Sequence, residues 1–273
     1  MLFAVLVTMA TDRQAKNIAL VGTLITLAAG ISGFVRYTVE AASPVLVYHT
    51  QWIKALNADF YLKADGINII LVLLTVLLMP FIVQSTHNRI IKSPKAFFSL
   101  MLIMQSALLG VFLAKDALLF YVFWELALIP IYLIVLLWGG KGRRKITFKF
   151  FVFTLFGSLF MLLAIIFVWL HIPTRSFSIY EFYKASAYLT AQQQLYVFIA
   201  FYLAFAIKIP IFPLHTWQPD TYVNAPTQGT MLLSGIMLKM GTFALIVWLI
   251  PIAPLGWKIA HKYVIILSVI SII

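Results

Sequence analysis

The sequence predicts an all-α fold, a polytopic bundle of transmembrane helices, from three observations. Of its 273 residues, 63% are hydrophobic and only 10% are charged, whereas soluble domains average roughly 45–50% apolar and about 25% charged residues. The apolar residues form runs long enough for a bilayer, which needs roughly 20 helical residues. The basic residues behind the formal net charge of +12 cluster between these runs, as in loops that set membrane topology. We therefore expect the lipid bilayer, and no nucleic acid, as a partner.

The apolar runs give the expected spans in chain order. They lie near 17–36, 66–84, 96–114, 117–138, 147–171, 194–214, 225–250 and from 259 to the C-terminus. Residues 2–10 are apolar too, but nine helical residues rise only about 14 Å, and the signals of a cleaved leader are missing. We expect about eight to nine spans within one transmembrane domain over 1–273. Because both ends fall inside apolar runs, we interpret the chain as part of a longer protein.

Two sets of connecting segments differ in charge. The more basic set contains Arg13, Lys16, Arg89, Lys92, Lys95, Lys141, Arg143, Arg144, Lys145 and Lys149. The other set, with the connections 37–65 and 172–192, mixes basic and acidic residues. The positive-inside rule then predicts that the first set is cytoplasmic.

The long connection 37–65 predicts a structural cover over the membrane surface. Its alternating pattern with Pro44, Tyr48, Trp52 and Tyr61 fits either a short hairpin or an interfacial helix. The segment GGKGR at 139–143 lacks the spacing of a phosphate-binding loop and is interpreted as a solvated turn. Without cysteines, and with scattered histidines, the sequence predicts no metal or cofactor site in this chain.

Glu125, Lys208 and Lys239 each lie near the middle of an apolar run. A lysine at that depth costs at least about 2.5–3.5 kcal/mol, so by default such residues mark a path for ions or protons. The alternative is a fixed ion pair, for instance between Glu125 and Lys208, that only holds helices together. Such a pair leaves Lys239 unexplained, which favours a pathway.

The backbone next to Lys208 is predicted to be broken. Pro210 and Pro213 lack an N–H, so the carbonyls near Ala206 and Ile209 lose their helical partners. A broken helix beside a buried charge is typical of ion pathways, although an ordinary proline kink is the simpler alternative.

Two blocks carry a family resemblance. They are FYVFWELALIPIYLIVLLWGG at 120–140 and FAIKIPIFPLHTWQPDTYVNAPTQGTMLLSGIMLKMG at 205–241. Both resemble the antiporter-like membrane subunits of proton-pumping NADH:quinone oxidoreductase, complex I, and the FWE-x-x-LIP-x-Y form is most similar to the M type, subunit 4 in mitochondria. The resemblance covers most of the chain. It implies an antiporter-like fold of fourteen spans with two inverted repeats, the first at approximately 95–250, and a multi-pass location in the cell inner (plasma) membrane.

The resemblance also implies roles for single residues. Glu125 matches the glutamate of the fifth span, Lys208 the lysine of the broken seventh, and Lys239 the lysine of the eighth that passes protons inward. His215 matches a histidine near the end of the broken helix, and its alternative role is an interfacial hydrogen bond. Gln218 and Tyr222 depart from the usual leucine and second histidine, which puts in doubt an entry route through that histidine.

The expected function is that of a non-redox, proton-translocating subunit of this enzyme complex. The resemblance implies partner subunits of the L and N types, with NADH, FMN, iron–sulfur clusters and quinone all bound by partner subunits. Two alternatives stay open. One is a subunit of a multi-chain Na⁺/H⁺ antiporter or membrane-bound hydrogenase, and the other is a membrane scaffold that transports nothing.

Overall fold

The computed structural model describes residues 1–39, 46–86 and 91–272. These residues form a helical bundle with one small hairpin. The helices are α1 (Leu2–Met9), α2 (Asp12–Val39), α3 (Gly66–Gln84), α4 (Pro94–Leu113), α5 (Ala117–Trp138), α6 (Arg143–His171), α7 (Ile179–Lys184), α8 (Ala191–Lys208), α9 (Gln218–Asn224), α10 (Thr227–Ile252) and α11 (Pro254–Ile270). The strands are β1 (Val47–Ile53) and β2 (Ala58–Lys63).

Each predicted apolar run contains a helix, although the run at 194–214 is helical only as far as Lys208. Within the described ranges, six helices are long and apolar enough to cross a membrane, namely α2 to α6 and α10. The remaining two runs form α8, which begins with three glutamines and ends at Lys208, and α11, which has 17 residues. The predicted all-α transmembrane bundle is confirmed, and six of the expected spans are helices of full length within the described ranges.

Local sequence signals set where the helices begin. Asp116 caps α5 by accepting a hydrogen bond from Leu119 N at 3.0 Å. Thr190 and Gln193 form a reciprocal capping box at the start of α8. Helix α6 begins directly after Gly142, whose φ of 80° is accessible to glycine. Gly142 and its neighbours on either side are exposed, as expected of a solvated turn.

Helix α4 lies at the centre of the first part of the bundle. It packs against α1, α2, α3 and α5, while α6 packs between α5 and α8. Helix α8 in turn contacts α11 and the middle of α10. This order brings α5, α8 and α10, which carry Glu125, Lys208 and Lys239, into one region of the molecule.

The connection before α3 contains the hairpin. Strands β1 and β2 are antiparallel, with Val47 opposite Lys63 and a bulge between Gln51 and Ile53. The hairpin alternative is therefore the correct one for this connection, whose Pro44 lies outside the described residues, as does Arg89 in the basic set. Backbone and side-chain hydrogen bonds join the hairpin to the bundle, from Lys115 N to Tyr61 O and from Asp59 N to Asp116 Oδ2.

Candidate functional site

The helix that carries Lys208 ends at that residue. Its next segment, 209–217, is made of turns before α9 begins. Proline at 210 removes the usual donor to Ala206 O, but Ile211 N takes its place at 2.9 Å. Trp217 Nε1 donates to Ile207 O at 2.9 Å. The predicted break is present: the carbonyl of Ala206 has lost its helical partner at Pro210, and the chain itself supplies a replacement donor.

The side chain of Lys208 is buried against an aromatic ring. The residue is 2% exposed, and Nζ lies 5.5 Å from the ring centroid of Trp124. That distance is within the range of a cation–π contact, which is strongest when the cation is desolvated. Trp124 precedes Glu125 in α5, so the same helical turn presents both an aromatic face and a carboxylate to this region.

Glu125 and Lys208 interact electrostatically without forming a contact ion pair. No nitrogen–oxygen distance within 4.0 Å joins them, and the ion pairs among the described residues lie at helix ends and in connections. Glu125 Oε1 is buried and has no hydrogen-bond partner in the described ranges. The groups that act on the carboxyl are the Ser158 hydroxyl of α6 and the Lys208 ammonium. A partly unsatisfied carboxylate near a lysine can accept a proton when the distance changes, which a closed pair resists.

Lys239 lies directly after a π-helical segment. Leu233–Met237 of α10 adopts π geometry, and so does Leu245–Leu249. Segments of π-helix are rare in proteins, and those that occur are often found at functional sites. The ammonium of Lys239 donates to Ser234 O at 2.6 Å. This explains how a half-buried lysine with no ion-pair partner among the described residues is accommodated, since a backbone carbonyl supplies the acceptor.

His215 occupies the turns after the break. Its ring stacks on Phe212 at 5.7 Å between centroids, and its Nδ1 is buried without a hydrogen-bond partner in the described part of the chain. The alternative role, an interfacial hydrogen bond, would need a partner for the ring, and the described residues offer none to Nδ1.

Three residues near the site were missed by sequence reasoning. Trp124 contacts Lys208, Ser158 faces Glu125, and Ser234 provides the acceptor for Lys239. Trp124 stands directly before Glu125 and could have been inferred from that position. The two serines are single hydroxyl residues in apolar helices, and their spatial neighbours depend on how the helices pack.

The fold and these buried groups define a polytopic membrane protein with ionisable residues in its interior. The chain belongs to the family described as NADH:quinone oxidoreductase/Mrp antiporter, TM, whose model matches residues 114–273.

Individual relatives agree with this family. The chain is 35% identical over 278 residues to NADH-quinone oxidoreductase subunit M of Rhodobacter capsulatus, covering 97% of this chain and 53% of that protein. It is similar to a chain of respiratory complex I from Thermus thermophilus, with TM-score 0.79, 29% identity, and coverage of 98% and 56%. It also shares its fold with a chain of the Mrp complex from Dietzia sp. DQ12-45-1b, with TM-score 0.76, 17% identity, and coverage of 93% and 28%.

These comparisons confirm the predicted resemblance to antiporter-like membrane subunits and to subunit M of complex I. The likeness to the Mrp chain concerns the fold alone. The chain spans about half the length of the curated relatives it matches.

Proposed function

We propose that this chain is part of a proton-translocating membrane subunit of an NADH:quinone oxidoreductase in a cell inner membrane. In this role it carries out no redox chemistry itself. Electron transfer from NADH through FMN and iron–sulfur clusters to quinone takes place in partner subunits, and antiporter-like chains of the L and N types are its membrane neighbours. The observation that carries the proposal is the buried Lys208 at a helix break, close to Glu125, in a chain of this family.

The relay we propose begins with Glu125 and Lys208. At a separation of about 7 Å and an effective dielectric constant of about 20, two unit charges interact by roughly 2.4 kcal/mol. Every 1.4 kcal/mol is about a tenfold change in an equilibrium constant. A shift of α5 relative to α8 therefore changes the affinity of Lys208 for its proton by more than tenfold, which is sufficient for loading and release.

Lys239 is the proposed next carrier. Its ammonium bonds to a backbone carbonyl and not to an acid, so deprotonation leaves no buried carboxylate uncompensated. His215 is proposed as a further proton carrier beside the broken segment, since its buried Nδ1 has no hydrogen-bond partner in the described ranges and can accept a proton. Residues 95–250 are proposed as the first of two inverted repeats.

The proposal is tested in the full-length subunit within its assembled complex. Glu125→Gln and Lys208→Ala are each expected to lower the number of protons pumped per NADH oxidised, because each removes one titrating group. Glu181→Gln and Lys54→Ala are the matched controls, since Glu181 lies in the short helix α7 outside the candidate spans and Lys54 is exposed between the strands. A normal proton ratio in both buried variants, with the complex assembled, contradicts the relay.

The same measurement separates the alternatives. If the Glu125→Gln and Lys208→Ala variants assemble poorly, but the complexes that do form pump normally, the result supports a membrane scaffold that transports nothing. The family description also includes Mrp antiporters, and antiport that depends on sodium in proteoliposomes supports that function instead.

A further inference from the structure

An apolar groove runs along the outside of the bundle between α6 and α8. Its volume is about 270 Å³, and its lining consists of apolar side chains and one glycine: Val152, Phe153, Phe156, Gly157, Phe160, Leu203, Ile207 and Leu214. Val152 and Phe156 are 44% and 59% exposed, so the groove opens sideways toward the surroundings of the helices. A groove of this composition in a membrane span takes a hydrocarbon chain.

The floor of the groove is formed by close packing of two helices. A Cβ at Gly157 would lie 2.7 Å from Ile207 Cδ1 and 3.3 Å from Ala204 Cα. The missing side chain lets α6 and α8 approach each other, and the larger residues on either side form the walls. Ile207 and Leu214 flank the break that follows Lys208, so the groove lies against the broken helix.

One end of the groove is strongly basic. Lys145 precedes Val152 by seven residues and Phe156 by eleven, and these separations place all three on one helical face. Lys145 is exposed, and within the described ranges its ammonium has no hydrogen-bond or ion-pair partner. At 1.5 Å per residue it lies about 10 Å beyond Val152 along the helix.

The other charges at this end leave it positive. Lys149 is neutralised in part by Asp220, at 3.0 Å, and also donates to Thr216 O. Lys141, Arg143 and Arg144 are exposed beside it. Basic residues next to a membrane span attract anionic lipid headgroups.

We propose that this groove is a binding site for an anionic phospholipid. One acyl chain lies between α6 and α8, and the headgroup phosphate lies at Lys145. The bound chain covers the side of the broken helix, between the bilayer and the segment that holds Lys208. The lipid site is argued from the groove and its charges alone, whichever ion the protein transports and in whichever direction.

Photo-crosslinking in vesicles of equimolar phosphatidylcholine and phosphatidylglycerol tests the proposal. A benzophenone amino acid replaces Phe156 in the groove or, as a control, Ile166, which is 41% exposed on the same helix and does not line the groove. We expect lipid adducts at position 156 to be enriched several-fold in phosphatidylglycerol and those at position 166 to follow the vesicle composition. Adducts at 156 that follow the vesicle composition, or that join a second protein segment, overturn the proposal.

Two substitutions separate the headgroup from the acyl chain. Lys145→Gln is expected to abolish the enrichment while lipid adducts continue to form, with Lys54→Gln, at an exposed lysine between the two strands, as the control. Leu203→Trp fills the groove and is expected to reduce the lipid retained after detergent extraction, measured by native mass spectrometry. Unchanged enrichment in Lys145→Gln overturns the headgroup assignment, and unchanged retention in Leu203→Trp overturns the acyl-chain assignment.

Discussion

At the scale of single residues, the three ionisable residues of the spans are each held in a different way. The ammonium of Lys208 lies over the ring of Trp124, and that of Lys239 donates to the carbonyl of Ser234. The carboxyl of Glu125 has the hydroxyl of Ser158 as a neighbour and interacts with the more distant ammonium of Lys208. Asp116, at the end of α5, instead has two backbone donors, Leu119 N and Asp59 N, both at 3.0 Å. Asp116 thus accepts two backbone hydrogen bonds, whereas within the described ranges the ammonium of Lys239 has one hydrogen bond and that of Lys208 lies over an aromatic ring.

Asp116 gives a pH-dependent prediction. Burial raises the pKa of its carboxyl to about 6, although the backbone hydrogen bonds oppose this change, and the neighbouring Asp59 adds to it. Since the pKa is higher in the folded protein, folding favours the protonated acid. The contribution of Asp116 to the free energy of unfolding is then greatest below about pH 4. It is lost as the pH rises through about 6, and the loss is on the order of 3 kcal/mol at most.

Asp116→Asn keeps an acceptor for the cap and cannot ionise. We expect this variant to lose the fall in thermal unfolding midpoint between about pH 4 and pH 6. Asp116→Ala is expected to lose the cap as well, which costs about 1 kcal/mol at every pH. A wild-type pH profile in Asp116→Asn contradicts the assignment.

At the scale of helices, close contacts position the broken segment. A Cβ at Gly241 of α10 would lie 2.6 Å from Ile209 Cγ1, 3.1 Å from Phe205 O and 3.3 Å from Ile209 N. Two of these atoms belong to the backbone at the break and cannot move by a change of side-chain rotamer. The absence of a side chain at 241 therefore allows α10 to support the end of α8.

Gly241→Ala is expected to destabilise the protein by about 1–3 kcal/mol, the usual cost of overpacking. It is also expected to lower proton pumping, because the strain falls on the residue after Lys208. Gly235→Ala in the same helix is the control, since its Cβ would meet only Leu78 Cδ1, at 3.2 Å, the end of a flexible side chain. Thermal unfolding and pumping ratio measure the two effects, and equal behaviour of the two variants argues against this role for Gly241.

At the scale of the whole molecule, one ion pair joins the hairpin and α3 to the junction of α4 and α5. Lys115 Nζ lies 2.7 Å from Asp65 Oδ1, with side chains that are 7% and 35% exposed. Lys63 lies 3.5 Å from the same carboxylate. Because the lysine is buried, removing its partner is expected to cost more than it would in an exposed pair.

Asp65→Asn removes the charge and leaves the amide able to cap α3. We expect a loss of about 1–3 kcal/mol, since the buried ammonium of Lys115 loses its counter-charge. Hydrogen exchange in the hairpin residues 47–63 is expected to become faster. Lys184→Ala is the control, because that lysine is 63% exposed in its pair with Glu181. Unchanged exchange in Asp65→Asn contradicts a joining role for this pair.

The sequence by itself determined the class of the molecule and most of its helices. Apolar runs of about 20 residues have few stable forms in lipid, because every backbone polar group needs an internal partner. The same reasoning predicted the break after Lys208, since Pro210 has no N–H to donate. The residues Glu125, Lys208 and Lys239 were recognisable because an ionisable group in an apolar run is costly wherever the helix lies.

Only the tertiary structure decided how these groups are accommodated. Helix rotation decides how far Glu125 lies from Lys208 and places the ring of Trp124 over the ammonium. Local π geometry brings the carbonyl of Ser234 beside Lys239. Helix rotation and π geometry cannot be predicted from hydropathy, because lipid-facing and buried apolar side chains look the same in the sequence. The groove between α6 and α8 likewise exists only because Gly157 lets two helices meet between larger neighbours.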